Sequence, residues 1–164
     1  ESKGLAEFLR LAPRPILDSL VVIGEGDDLE RCRNVVRSRG ATTAFLGRLT
    51  HEQTLLELQR STVALLPSRW AEIQPLSVLE AQAMGLRLLT SDLGGLKELS
   101  QRDPLSAAFD PFDADAVRRA CEIVLSADDA ARTRRRPAFL DDHDPDTYVA
   151  SVLREYSGAV SCTR

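Results

Sequence analysis

The feature that most constrains this chain is an alternation. Short apolar runs stopped by glycine or proline take turns with longer stretches whose apolar residues recur at helical spacing. Runs at 19–23, 42–46, 62–66, 86–90 and 106–109 read as strands. Stretches at 2–12, 27–39, 50–61, 75–84, 94–101 and 113–126 read as helices. In the first helix Leu5, Phe8, Leu9 and Ala12 share a face, and Pro13 and Pro15 end it. The run at 19–23 is expected to be a buried strand. Gly85 suits the end of the helix before it, and Asp113 suits an N-cap. A last helix is expected over 144–156, with Pro145 in its first turn. Strands alternating with helices imply an α/β fold with a doubly wound parallel sheet covered on both faces.

Composition narrows the function. A chain of 164 residues fits one domain with a real core. We divide it into a ligand-binding domain at 1–143 and a C-terminal helical segment at 144–164. A net charge of −4 lacks the basic footprint of nucleic-acid binding. Apolar runs are too short for a membrane span, and Glu1, Lys3, Glu7 and Arg10 break up any signal-peptide core. Cys32, Cys121 and Cys162 show neither metal-ligand spacing nor a disulfide framework, so a reducing, cytoplasmic setting is expected. With His51 and His143 as its only histidines, the chain has no multi-histidine metal centre, and no metal or other cofactor is expected.

Ligands of parallel sheets bind beyond the carboxyl ends of the strands. The loops to examine are therefore Gly24-Glu25-Gly26, Gly47-Arg48-Leu49, Pro67-Ser68-Arg69-Trp70 and Ser91-Asp92-Leu93-Gly94-Gly95. Any one of them reads equally well as an ordinary turn. Gly24-Glu25-Gly26 lacks the full dinucleotide fingerprint. The segment 67–95 says more. Glu80 lies in the helix at 75–84, on a stripe with Leu76, Leu79 and Ala83 at about 100° per residue. A carboxylate among apolar positions needs partners. Paired ribose hydroxyls would satisfy it, and so would an internal salt bridge. The start of the same helix, at Leu76 and Ser77, offers free N–H groups for phosphate. Carboxylate and helix start together point to a nucleotide.

These residues also carry a resemblance. Pro67-Ser68, Glu72 and Glu80 eight residues apart, Glu80-Ala81, Ala83-Met84-Gly85 and Gly94-Gly95-Leu96-Lys97-Glu98 occur in the order of a known family. Val22-Ile23-Gly24-Glu25-Gly26, Phe45-Leu46-Gly47 and Lys3-Gly4 agree with it. The chain resembles the C-terminal, Rossmann-like, nucleotide-sugar-binding domain of GT-B-fold glycosyltransferases of family 4, the large retaining group. The likeness spans residues 3–126. It implies that Glu80 holds the donor's ribose hydroxyls and that Glu72 faces the transferred sugar as the catalytic-site carboxylate. It implies that Lys3 neutralises the donor diphosphate, that Leu49 meets the nucleobase through its backbone, and that the amides of Leu76 and Ser77 hold phosphate. The sugar would leave a nucleoside diphosphate with retained configuration and without a metal.

Departures accompany the likeness. Ile73-Gln74-Pro75 stands where the family often has Gly-Phe-Gly. Pro75 removes an N–H donor and Ile73 is bulky where the donor sugar should pass. The family's domain opens with a strand ahead of the lysine, placed centrally where strand order reverses, and its acceptor is bound by an N-terminal domain. The chain is therefore expected to be part of a longer polypeptide and not to transfer sugar by itself. Its acceptor is unidentified, and membrane association has no support beyond Arg132, Arg134, Arg135 and Arg136, which read as a solvated helix end. His51 reads as a polar residue of a first helical turn. The helix with Tyr148, Val152 and Tyr156 is expected to reach outward. The alternatives are a degenerate, non-catalytic glycosyltransferase-like module, or an epimerase or phosphorylase on the same fold.

Overall fold

The computed structural model describes residues 3–73, 75–102, 105–127 and 144. The order is α1 (Leu5–Leu11), α2 (Arg14–Ser19), β1 (Val21–Ile23), α3 (Leu29–Ser38), β2 (Ala44–Gly47), α4 (His51–Arg60), β3 (Val63–Leu66), α5 (Leu76–Ala83), β4 (Arg87–Ser91), α6 (Gly95–Gln101), β5 (Ala107–Phe109) and α7 (Ala114–Ser126). The boundary at 143, the expected last helix with Tyr148, Val152 and Tyr156, and the arginines at 132 and 134–136 lie outside the described residues. Pro13 and Pro15 do end α1, but they also start α2, which the sequence reading did not anticipate. Pro13 is its extended N-cap and Pro15 lies in its first turn, where the missing N–H costs nothing.

All strand pairs are parallel, as expected for an α/β fold. They form two sheets, β1–β2 and β3–β4–β5. Among the described residues, β1 and β3 each have a ladder partner on one side only. This corrects the reading of β1 as a buried strand. Val21 is 37% exposed and the next two residues are half-buried. Strand β4, with neighbours on both sides, is buried at all five residues.

Alternation along the strands builds two cores. On one face, Leu89, Ala107 and Phe109 pack with Phe8 and Leu9 of α1, Leu17 of α2, Val35 and Val36 of α3, and Val117 and Val124 of α7. Val63 and Leu65 of β3 and Phe45 of β2 lean on the same cluster, so one helical layer covers strands of both sheets. On the other face, Ala64 and Leu88 pack with Val78 and Ala81 of α5 and Leu96 and Leu99 of α6. The rings of Phe8 and Phe109 lie 5.6 Å apart and join α1 to β5.

Polar contacts fix the helix ends. Nη1 of Arg39 donates to the carbonyls of Leu9, Arg10 and Ala12 at 2.9, 2.9 and 2.7 Å, which satisfies the last turn of α1. Thr50 and Gln53 form a reciprocal capping box on α4. Asp113 caps α7 through the amides of Asp115 and Ala116, as the sequence implied. Arg87, buried at the start of β4, donates to the carbonyl of Ala127 at 2.7 Å. Cys121 is fully buried, and desolvation pushes its thiol up to about 12.

Two outcomes follow from this packing. Phe109→Ala should cost about 3–5 kcal/mol by urea titration, whereas Thr50→Ala should cost only ~1 kcal/mol because one cap is lost. Cys121 should remain unalkylated by iodoacetamide at neutral pH until urea unfolds the chain, as read by peptide mass spectrometry.

Candidate functional site

The loop leaving β3 carries a polar cluster at the carboxyl end of the three-stranded sheet. Oε1 of Glu72 accepts from Lys3 Nζ at 2.5 Å, from Ser68 Oγ at 2.8 Å and from Trp70 Nε1 at 3.2 Å. Ser68 is buried, and the Glu72 side chain is 13% exposed against 71% for Lys3. The Lys3 hydrogen bond, helped by Ser68 and Trp70, holds the Glu72 carboxyl below its ordinary value, against the opposing effect of burial. The backbone of the loop is tied down as well. Glu72 forms a parallel bridge with Gly94, and its carbonyl accepts the Gly95 N–H at 2.8 Å. The loops after β3 and β4 are thereby locked together.

Glu80 belongs to a second cluster. The core face of α5 is made by Val78 and Ala81, both fully buried, while Leu76 is 75% exposed. The stripe of Leu76, Leu79, Glu80 and Ala83 is therefore not the core face. The sheet takes the neighbouring arc, and Glu80 sits at its margin with a side chain 32% exposed. His51, the first residue of α4, faces it with Nδ1 at 3.6 Å from Oε1. A protonated His51 would be a cationic neighbour for Glu80.

The remaining expected positions frame these clusters. Leu76 and Ser77 open α5, whose N-cap, Pro75, provides no side-chain hydrogen bond. Both residues are exposed. Leu49 lines a shallow hollow with Leu46, Gln53, Leu56, Glu57 and Arg60, between the end of β2 and α4. Ile73 is 92% exposed beside Glu72. Lys3 and Glu72 are brought into contact, whereas Glu80 lies within α5 and Leu49 follows β2 of the two-stranded sheet.

Sequence reasoning missed three contributors. Ser68 belongs to the Pro67-Ser68 motif, which assigns it no role, yet a serine before a carboxylate in a strand-end loop is a natural hydrogen-bond donor. Trp70 gave no signal beyond being the single tryptophan of the chain. The sequence offers His51 as a polar first-turn residue or, through its closeness to Leu49, as a neighbour of the donor; its approach to Glu80 depends on how α4 packs beside α5.

Comparison with known proteins bears on this geometry. Residues 2–138 match the family described as glycosyl transferases group 1. The chain belongs to this family. It is 33% identical over 150 residues to a glycogen synthase of Mycobacterium tuberculosis (strain CDC 1551 / Oshkosh), a match covering 86% of the chain and 35% of that protein. The chain thus spans about a third of the length of the curated relatives it matches. A sucrose-phosphate synthase from Thermosynechococcus elongatus superposes with a TM-score of 0.71 at 20% identity, covering 99% of the chain and 43% of that structure. The lipopolysaccharide outer core galactosyltransferase WaaB, in its apo form, superposes with a TM-score of 0.65 at 19% identity, covering 93% and 44%. These neighbours are GT-B glycosyltransferases, and at such identities they show the fold. The group 1 domain therefore has the Rossmann-like architecture that its motifs implied.

The Glu72 shift carries a pH signature. Because its carboxyl is held below the ordinary value of 4.5, its contribution to stability is complete above that value and is lost as pH falls through the folded-state value. Lys3→Met removes the main cause of the shift. The difference in melting temperature between wild type and Lys3→Met should therefore shrink between about pH 7 and about pH 3. A difference that stays constant over this range would show that the pair contributes nothing in solution.

Proposed function

We propose that this group 1 domain binds a nucleoside-diphosphate sugar at the carboxyl edge of its strands and acts as the donor half of a retaining glycosyltransferase. One observation carries the reading. Lys3 and Glu72 are 69 positions apart, yet they meet at 2.5 Å beside the loop that leads into α5. The family resemblance assigns them to adjacent parts of one ligand, the diphosphate and the transferred sugar.

In this reading the bond between the anomeric carbon and the diphosphate oxygen breaks, the oxygen of an acceptor hydroxyl bonds to that carbon on the same face of the sugar, and the hydroxyl's proton passes to the departing diphosphate. Negative charge grows on the leaving diphosphate. The Lys3 ammonium and the amides of Leu76 and Ser77 offset it without reorganisation at the moment of reaction. Glu72 orients the sugar, Glu80 accepts from the ribose hydroxyls, and the backbone at Leu49 meets the base. No metal or cofactor is assigned a part. The acceptor is bound chiefly by sequence outside this domain, and the setting is cytoplasmic. The glycogen synthase relative makes nucleotide-linked glucose the first donor class to examine.

A non-catalytic binding module is the second reading. It is favoured by Ile73, 92% exposed beside Glu72. Nucleotide binding without turnover of any donor by the intact protein would select it.

The two glutamates separate the roles. Charge-assisted hydrogen bonds contribute on the order of 1.5–3 kcal/mol each, so Glu80→Gln should weaken nucleoside-diphosphate binding about tenfold or more. Glu72→Gln should leave that affinity undiminished, since it frees Lys3 of its resident anion, and lower turnover. Calorimetric titration with UDP, ADP and GDP, followed by transfer assays on the intact protein, measures both. Unchanged affinity in a folded Glu80→Gln protein would remove the ribose assignment.

A further inference from the structure

We propose that Gly4, Gly94 and Gly95 are positioning residues that grip the backbone of the Glu72 loop from two sides and so aim its carboxylate. The proposal rests on the reading of Glu72 as the sugar-facing group.

The first side is the start of α1. Gly4 is its N-cap, with φ 65°, a conformation that side chains rarely adopt. A Cβ at Gly4 would overlap the Pro67 carbonyl oxygen and come within 2.8 Å of Arg69 Cγ. The helix start therefore lies backbone to backbone on the loop leaving β3. Lys3 is the residue just before it, and this approach delivers its ammonium to Glu72.

The second side is the start of α6. Gly94, at φ 58° and ψ −142°, bridges Glu72, and the Gly95 N–H donates to the Glu72 carbonyl at 2.8 Å. A Cβ at Gly94 would lie 2.6 Å from the Glu72 carbonyl oxygen and 3.2 Å from both Glu72 N and Ala71 Cβ. A Cβ at Gly95 would overlap the Ile73 carbonyl oxygen. These obstacles are largely backbone atoms, so no rotamer change relieves them. By contrast, added Cβ atoms at Gly24, Gly26 and Gly47 would meet nothing within 4 Å. Close backbone approach is thus concentrated on the loop that carries Glu72. Arg69 fixes the same loop from its side chain, stacking 4.5 Å above the Phe112 ring and lying 3.8 Å from Glu7.

Aim matters here because the side chain of Glu72 is short and its backbone is held at 71–73. A displacement of about 1 Å in a reacting group can cost on the order of a hundredfold in rate. Gly94→Ala and Gly95→Ala should therefore lower turnover by about this factor while leaving the affinity for UDP, ADP or GDP undiminished. If the glycines act through Glu72, Gly94→Ala should cost nothing further in a Glu72→Gln background, because coupled sites are not additive. Full additivity would mean a general structural effect and would overturn the proposal.

Two measurements stand apart from activity. Trp70 is the only tryptophan in the chain and its indole donates to Glu72, so its emission reports the loop directly. Emission and acrylamide quenching should shift in Gly94→Ala in the same direction as in Glu72→Gln. Unshifted emission in the folded variant would overturn the clamp. In the wild-type chain, the Gly95 amide should exchange with deuterium as slowly as the amides of β4. Rapid exchange would overturn the clamp even where the alanine variants do not fold. Should no donor be turned over, these two measurements still decide the clamp, and the proposed function alone fails.

Discussion

Everything else in the domain hangs on the burial of β4. It pairs on both sides, Leu88 enters one core and Leu89 the other, and all five of its residues are closed to solvent. The helical layers are held apart by its thickness and joined by its alternation. The loop at its carboxyl end starts α6, and the β3 loop with Glu72 is fastened to that start. The polar cluster is therefore built on the most enclosed of the described strands, although the cluster itself meets water.

The sequence carried the fold well where local and tertiary preferences agree. β3, α5 and β4 fall within two residues of expectation because apolar runs, Gly85 and the sheet all favour the same ends. β1 was misjudged because its apolar residues report what a strand can bury, while its actual burial depends on how many neighbours it has. α2 was missed because proline stops one helix and opens the next by the same fixed φ. On α5 the helical period was right but the facing arc was wrong. Periodicity fixes which residues share a stripe and does not fix which stripe meets the sheet.

The site was legible in parts. Lys3, Glu72, Glu80, Leu49, Leu76 and Ser77 were singled out by resemblance, and Glu80 and the helix start also by chemistry. Their roles are properties of a complex with ligand and remain part of the proposed function. The contacts of Ser68, Trp70 and His51 arise from loop paths and helix packing, for which a single sequence has no local marker. The glycines were visible as residues, but the carbonyl groups that lie against them were not.

The unequal exposure of the Lys3–Glu72 pair has a consequence for how charge enters the site. The lysine keeps most of its surface in water while the carboxylate is largely enclosed. Within the proposed function, an arriving diphosphate does not simply land on an unclaimed cation. It exchanges with a resident anion that cannot leave, and Glu72 is then compensated by Ser68, Trp70 and the hydroxyls of the sugar. A bare diphosphate brings no such hydroxyls. On that proposal the protein would act toward anions like an exchanger whose counter-ion is tethered, with recognition of the sugar as the means by which that tethered charge is resettled.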